Sequence, residues 1–331
     1  MVDEYKYLGL MFTKNGSFHK TKLQIADQAR KAMFALLKKI KLLDLPYDIQ
    51  IELFEKTIKP ILLYGSEVWG YGNVAMLEKV QLQFLKYIFK LKKSTPSYMI
   101  YGETGVKPLS LSIKNRVVTY WARLINAQDE SNIKLSTKLY LFMMALQTHN
   151  NLKSQWLNNI KHYLCSSGFS GIWYCQCFSN IKWLTKSFQQ KSNDIYIQNW
   201  HAEINQTSVT NFYKYIKQTH NRPYYLHNVP TNICKSLIRF LTRNHRLPIE
   251  VGRWQNVPHN ERKCSTCNEI GDEYHYIMKC SLFTEQRSKF LDRNTRIRPN
   301  MQKLVSLFNC KNKIKLKNLG IFCEKIMQHF S

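Results

Sequence analysis

Apolar residues change their spacing several times along the chain, and each change predicts an element. Residues 5–18, YKYLGLMFTKNGSF, place strand-favouring Tyr5, Tyr7, Leu10 and Phe12 ahead of Asn15-Gly16. Both turn residues tolerate positive φ, so the segment predicts a β-hairpin turning there. From His19 to Leu43 the period becomes helical, with Leu23, Ala26, Met33, Leu37 and Ile40 on one face. Lys20, Lys31, Lys38, Lys39 and Lys41 fall mostly off that stripe. A second helical run follows Pro46 with Ile51, Phe54, Ile58 and Leu62, and Pro60 should break it. A third fits Met76–Leu91, presenting Leu77, Val80, Phe84 and Ile88, until Lys92-Lys93-Ser94-Thr95-Pro96 ends it. Another fits Ser112–Ala127.

The polar stretch Gln128–Asn132 then reads as a boundary. Residues 133–230 carry helical stretches at Trp156–Leu164 and Phe212–Ile216 between Ser-, Asn- and Gln-rich loops. Met143 and Met144 sit in an apolar run that reads as core. A helix is predicted over Ile233–Asn244, then an irregular segment HRLPIEVGRW, a helix after Cys280 and a last one at the C-terminus. The pattern predicts a mainly α fold, with no internal repeat.

Composition changes the picture in one respect. Of 331 residues, 44% are apolar, with 19 Tyr, 17 Phe and 7 Trp, which is globular and not disordered. But 49 Lys+Arg face 22 Asp+Glu, a net charge of +27. Such an excess repels itself unless a polyanion answers it, and nucleic acid is the commonest answer. A lysine- and asparagine-rich composition bias is the alternative source. The start, MVDEYKYLGL, lacks the basic-then-apolar order of a secretion signal, and the longest apolar stretch, Leu139–Leu146, is too short to span a bilayer. The expectation is an intracellular protein, in nucleus or cytoplasm, without membrane partners.

Nine cysteines fit a reducing compartment. Four residues stand apart. Cys264, Cys267, His275 and Cys280 read C-x2-C-x7-H-x4-C within ERKCSTCNEIGDEYHYIMKC. Thiolate and imidazole are the ligands Zn²⁺ prefers in a tetrahedron, and C-x-x-C lets two thiolates grip one ion from a tight turn. His275 and Cys280 could close the site from a single helical turn. Four protein ligands leave no open position, so one structural Zn²⁺ is expected. Cys165, Cys175, Cys177, Cys234, Cys310 and Cys323 lack metal spacing, and His245 and His259 fit the pattern less well than His275.

YKYLGLMFTKNGSF, a basic helix, KPILLYGSEVWG and GVKPLSLSIKNR, in this order, resemble the region after the catalytic palm of non-LTR retrotransposon (LINE-like) reverse transcriptases. HRLPIEVGRW, ERKCSTC and DEYHYIMKC resemble the zinc-binding segment found beyond the thumb in that family. The resemblance covers about residues 5–127 and 240–290. It implies a palm-end hairpin over 1–18, a thumb-like helical domain over 19–130, a helical connector over 131–230 and a zinc-binding domain with C-terminal helices over 231–331. It also implies RNA or DNA as partner. Thumb helices of that family meet phosphates of the template–primer duplex, which suggests Lys31, Lys38 and Lys39. A solvated face with i, i+4 pairs such as Asp27–Lys31 is the competing reading. Arg246, Arg253, Arg262 and Lys263 flank the zinc ligands and suit phosphate as well. Trp254 or Tyr274 could stack on an unpaired base, or Trp254 could pack a small core.

The departures from the family bear on activity. Polymerase chemistry needs carboxylates that hold two Mg²⁺ ions, which the family supplies in part from adjacent aspartates. This sequence contains no Asp-Asp pair, and the hairpin begins close to Met1. No Pro-Asp nuclease step follows Cys280, where the carboxylates are Glu285, Asp292 and Glu324. Nucleotide-binding glycine loops and a Gly-x-Ser-x-Gly elbow are also absent. The expectation is a non-catalytic nucleic-acid-binding fragment with no small-molecule substrate. The alternatives are part of an RNA-directed DNA polymerase whose upstream frame is missing, a zinc-stabilised protein-interaction module, or an inactive relic.

Overall fold

Helix-forming periodicity governs most of this chain, and the structure follows it. The computed structural model describes residues 3–127, 133–149, 154–206 and 211–331. Among these the chain is helical apart from one two-stranded antiparallel hairpin, so the fold is mainly α. Gln128–Asn132, expected as a boundary, lies outside the described residues. Two compact units are each discontinuous in sequence. The first comprises 1–38, 54–81 and 107–199, and the second 39–53, 82–106 and 200–331.

In the first unit, β1 (Glu4–Tyr7) pairs with β2 (Leu10–Thr13). The hairpin turns at Leu8-Gly9, not at Asn15-Gly16. Leu8 and Gly9 both have positive φ, 46° and 85°, the conformation a two-residue primed turn requires. Asn15-Gly16 makes a second turn, with Gly16 N–H donating to Thr13 O at 2.9 Å. The His19–Leu43 helix has the expected bounds. Its buried stripe is Ile25, Ala26, Ala29, Met33, Leu37 and Ile40, while Leu23 is 48% exposed. Ile25 and Ala29 lie nearer the centre of the buried arc, and Leu23 falls outside it. Pro60 breaks the next helix as expected: Tyr47–Thr57 ends, and Lys59–Leu62 restarts with the proline in its first turn.

The helices Ser66–Trp69 and Leu109–Asn126 cross closely at Gly70. A Cβ there would lie 2.6 Å from Ile113 Cγ2 and 2.8 Å from Val117 Cγ2. Trp69, Trp121, Leu157 and Ile160 fill the surrounding core. The Leu135–His149 helix corrects an expectation: Leu139 and Phe142 are 56% and 60% exposed, and Met143 and Met144 are half-buried.

In the second unit the dominant pair is Thr231–Leu241 against the C-terminal helix Lys313–His329. Leu237, Phe240, Leu319, Phe322 and Ile326 are fully buried around it. Asn211–Ile216 packs on Met301–Asn309 through Phe212 and Phe308. HRLPIEVGRW is not irregular throughout: Pro248–Trp254 is helical, because Pro248 sits at a first-turn position that lacks an intrahelical acceptor anyway.

Candidate metal centre

The metal-ligand words are built by two local structures of the second unit. The first is a knuckle. Cys264 N–H donates to Glu269 O at 2.8 Å, and Asn268 N–H returns to Cys264 O at 2.9 Å. Asn268 takes φ 54°, a left-handed conformation asparagine tolerates better than most residues. Lys263 and Ile270 form a β-bridge at the base. Within this turn the N–H groups point inward at sulfur.

The second structure spans His275–Lys279 and is a π-helical turn, closed by Cys280 N–H donating to His275 O at 2.8 Å. A regular α-helix would turn residues five apart about 140° away from each other, since it has 3.6 residues per turn. The wider π turn reduces that angle and lets His275 and Cys280 face one ion. An ordinary helical turn, expected from the spacing, would not. Asp272 starts the turn, its Oδ1 accepting from His275 N–H at 2.7 Å.

The four ligand atoms lie within 4.8 Å of one another. Cys280 Sγ is 3.8 Å from both Cys264 Sγ and Cys267 Sγ. A tetrahedron with metal–sulfur bonds of about 2.3 Å has edges of about 3.8 Å. His275 Nε2 is out of solvent and has no hydrogen-bond partner, while Nδ1 lies 3.4 Å from Glu269 Oε2. One ring nitrogen is therefore oriented by a carboxylate and the other is free to ligate, the usual arrangement of a metal-bound imidazole. These residues fit a metal ion and could hold one.

Electrostatics agree. Burial opposes ionisation of Cys264, but hydrogen bonds from the Cys267 and Thr266 N–H groups and the Tyr276 hydroxyl outweigh it and bring the thiol down to about 6. Burial, together with its two sulfur neighbours, pushes Cys280 up to about 12. Three thiolates this close repel one another, and a divalent cation at their centre removes that cost. With neutral imidazole the filled site would carry one net negative charge. Arg287, buried beneath it, supplies a compensating positive charge. Its Nε donates to Ile277 O at 2.8 Å and Nη2 to Cys280 O at 2.6 Å and Tyr276 O at 3.4 Å. It thus caps carbonyls that a terminating helix leaves unpaired. Sequence spacing gave no hint of Arg287; a basic residue seven positions after the last ligand was the only available signal.

His245 belongs to the local fold, as expected. It is buried, with Nε2 3.1 Å from Glu273 Oε1. Among the basic candidates, Lys31, Lys38 and Lys39 are exposed on their helix, with Lys31 paired to Asp27 at 2.8 Å. Arg246 and Lys263 are exposed. Two others have internal partners. Arg253 grips Glu250 with both Nε (3.2 Å) and Nη2 (2.8 Å). Arg262 Nε donates to Val257 O at 2.9 Å, and its stem closes over Gly252. Trp254 is 43% exposed, with Lys92 Nζ 3.7 Å above its ring, and is not a core residue. No described helix is long and apolar enough to cross a membrane. No protein-family model, curated protein or solved structure matches this chain.

Proposed function

We propose that this chain binds RNA or DNA, chiefly through phosphates, with one structural Zn²⁺ at Cys264, Cys267, His275 and Cys280. We further propose that the chain by itself carries no polymerase or nuclease chemistry. The observation that carries the reading is the Cys3His cluster, with tetrahedral sulfur spacing and an unpartnered His275 Nε2, set among exposed Arg246 and Lys263 in a chain of net charge +27. Three thiolates and an imidazole favour Zn²⁺ over harder divalent ions. When bound, Zn²⁺ at four protein ligands supplies a cross-link between the knuckle and the π turn. The side chains do the rest: Glu269 orients His275, Arg287 balances the thiolates, and the rigid knuckle displays Lys263. Exposed Lys31, Lys38 and Lys39 add phosphate-binding charge on the first long helix. The resemblance to the thumb and zinc segment of LINE-like reverse transcriptases supports the same reading, and the missing Asp-Asp pair supports its non-catalytic part.

The test combines metal analysis with binding on the same samples. One zinc per chain is expected in the wild type and none in Cys264→Ser or Cys280→Ser. If about five phosphates are neutralised, the logarithm of duplex-DNA affinity should fall against the logarithm of salt concentration with a slope of about −4.5. Affinity that hardly changes between low and moderate salt would refute phosphate binding, and primer extension by the isolated chain would refute the non-catalytic part.

A second reading, a zinc-stabilised protein-interaction module, is favoured by the exposed Leu135, Leu139 and Phe142 on one helix. A defined complex that survives nuclease treatment would support it.

A further inference from the structure

In the second unit, the loop at Lys92–Thr95, after the helix Ala75–Ile88, meets the segment leading to the metal site. Asn244 makes the junction. Its Oδ1 accepts from Lys92 N–H at 2.6 Å and Thr95 Oγ1 at 3.2 Å, and its Nδ2 donates to Thr242 O at 2.9 Å. Asn244 is 3% exposed, so this is a rigid joint. Between the joined segments lies a cavity of about 160 Å³. Lys92, Thr95, Arg243, Glu250, Arg253 and Trp254 line it.

Its charge is unbalanced. Three cations face one carboxylate, and that carboxylate is already gripped by Arg243 and Arg253. Burial pulls Lys92 below the usual lysine range; Glu250 opposes this, while Arg246, Arg253 and Arg239 add to it. Arg243 Nη1 is out of solvent and makes no hydrogen bond, while its Nε lies 3.8 Å from the carboxylate of Glu273 outside the cavity. Buried donors left this way in a native fold are normally met by a water, an ion or a ligand. The Lys92 ammonium is held over the Trp254 ring at 3.7 Å, which limits where it can go.

The volume limits the occupant. The cavity of about 160 Å³ has room for several waters. A phosphate group fits this space, whereas a drug-sized or nucleoside-sized ligand needs about 300 Å³ or more. The Ser94 hydroxyl adds a neutral donor on the same wall, while the Thr95 proton is already given to Asn244 Oδ1.

We propose that this cavity binds a phosphate group, with Lys92 and Arg243 as its charged contacts and Trp254 as the wall that positions Lys92. The proposal deepens the nucleic-acid reading and rests on it for the source of the phosphate. It adds Lys92, far away in sequence, to a wall that already holds Arg243 and Arg253.

The experiment uses the full zinc-loaded chain, titrated with inorganic phosphate at constant ionic strength and followed by calorimetry. Lys92→Gln keeps the backbone N–H that Asn244 accepts, Lys92→Arg keeps the charge, and Lys311→Gln removes an exposed lysine outside the cavity. Saturable phosphate binding is expected, weakened about tenfold or more by Lys92→Gln, restored in part by Lys92→Arg and unchanged by Lys311→Gln. A single-stranded oligonucleotide should displace the phosphate. No saturable binding, or equal affinity in Lys92→Gln with unchanged zinc content, would overturn the site. In that event, salt-dependent oligonucleotide binding that persists would leave the nucleic-acid reading standing. Phosphate binding that the oligonucleotide fails to displace would support the cavity as a free-phosphate site and overturn its nucleic-acid source.

Discussion

Replacing Arg287 by methionine tests whether the metal centre depends on the charge beneath it. Methionine keeps most of the apolar stem and removes the guanidinium, so packing changes little. Three carbonyls, Ile277 O, Cys280 O and Tyr276 O, lose the guanidinium, and Cys280 O keeps only the Phe283 N–H at 3.3 Å. Hydrogen bonds from a charged donor contribute about 1.5–3 kcal/mol each, and the 3.4 Å contact to Tyr276 O is the weakest of the three. Arg287 is only 7% exposed, so its burial has a cost that methionine avoids, which offsets part of the loss. The net expectation is a loss of about 3 kcal/mol in unfolding free energy of the metal-loaded protein. The second effect is on the metal. The π turn carries both His275 and Cys280, and Arg287 holds its end. Removing a partner that orients ligands lowers metal affinity about 10–100-fold. Competition against chelators of graded strength measures the affinity, and denaturant midpoints before and after metal removal separate the two effects. Metal affinity within threefold of wild type, with less than about 1 kcal/mol of destabilisation, would refute this role for Arg287.

Asn244→Ala should cost about 2–4 kcal/mol, because it leaves the Lys92 N–H and Thr242 O of a buried joint unpaired; a shift in denaturant midpoint at constant slope checks this. Gly320→Ala should destabilise by about 1–3 kcal/mol despite alanine's better helix propensity, since its Cβ would lie 2.4 Å from Ile233 Cγ2 in the pair Thr231–Leu241 and Lys313–His329; thermal unfolding reads it out. Asp292 is held down to about 2 by hydrogen bonds from Lys315 and Thr295. Because its folded value lies below the unfolded one near 4, its stabilisation is present above about pH 4 and is lost as pH falls through about 2. A carboxyl NMR titration should show the low midpoint, and Lys315→Gln should raise it.

Individual elements show what could be read in advance. The His19–Leu43 helix was legible because its buried stripe repeats at helical spacing over many turns. Leu23 lies within about 60° of Ala26 and Leu37 on the helix, so spacing admits it to the stripe, but the arc that packs is centred on the far side of these two, toward Ala29 and Met33. The Ile181–Gln206 helix was missed altogether. Its buried side, Leu184, Phe188, Ser192, Trp200 and Ile204, is diluted by a serine and by the polar residues between. Residue preference favours a hairpin turn at Asn15-Gly16, yet the strand register puts positive φ on Leu8, which residue preference alone does not select. Of the seven basic candidates, sequence could not separate Arg246 and Lys263, which face solvent, from Arg253 and Arg262, whose donors are taken by protein acceptors.

By itself the sequence determined the helical class and the Cys3His cluster that could hold a metal ion. Both depend on short-range regularities: a period of about 3.6 residues, and four ligands within one short stretch whose chemistry admits few other uses. Tertiary structure decided what surrounds that set and how it works. It placed Arg287 under the thiolates, Glu269 behind His275 and Lys92 over Trp254. It also replaced an α turn by the π turn that aims His275 and Cys280 at one point. These features depend on which residues fill the space left by others and where a buried charge or N–H finds a partner. Such requirements act across distant segments and leave no period in the chain.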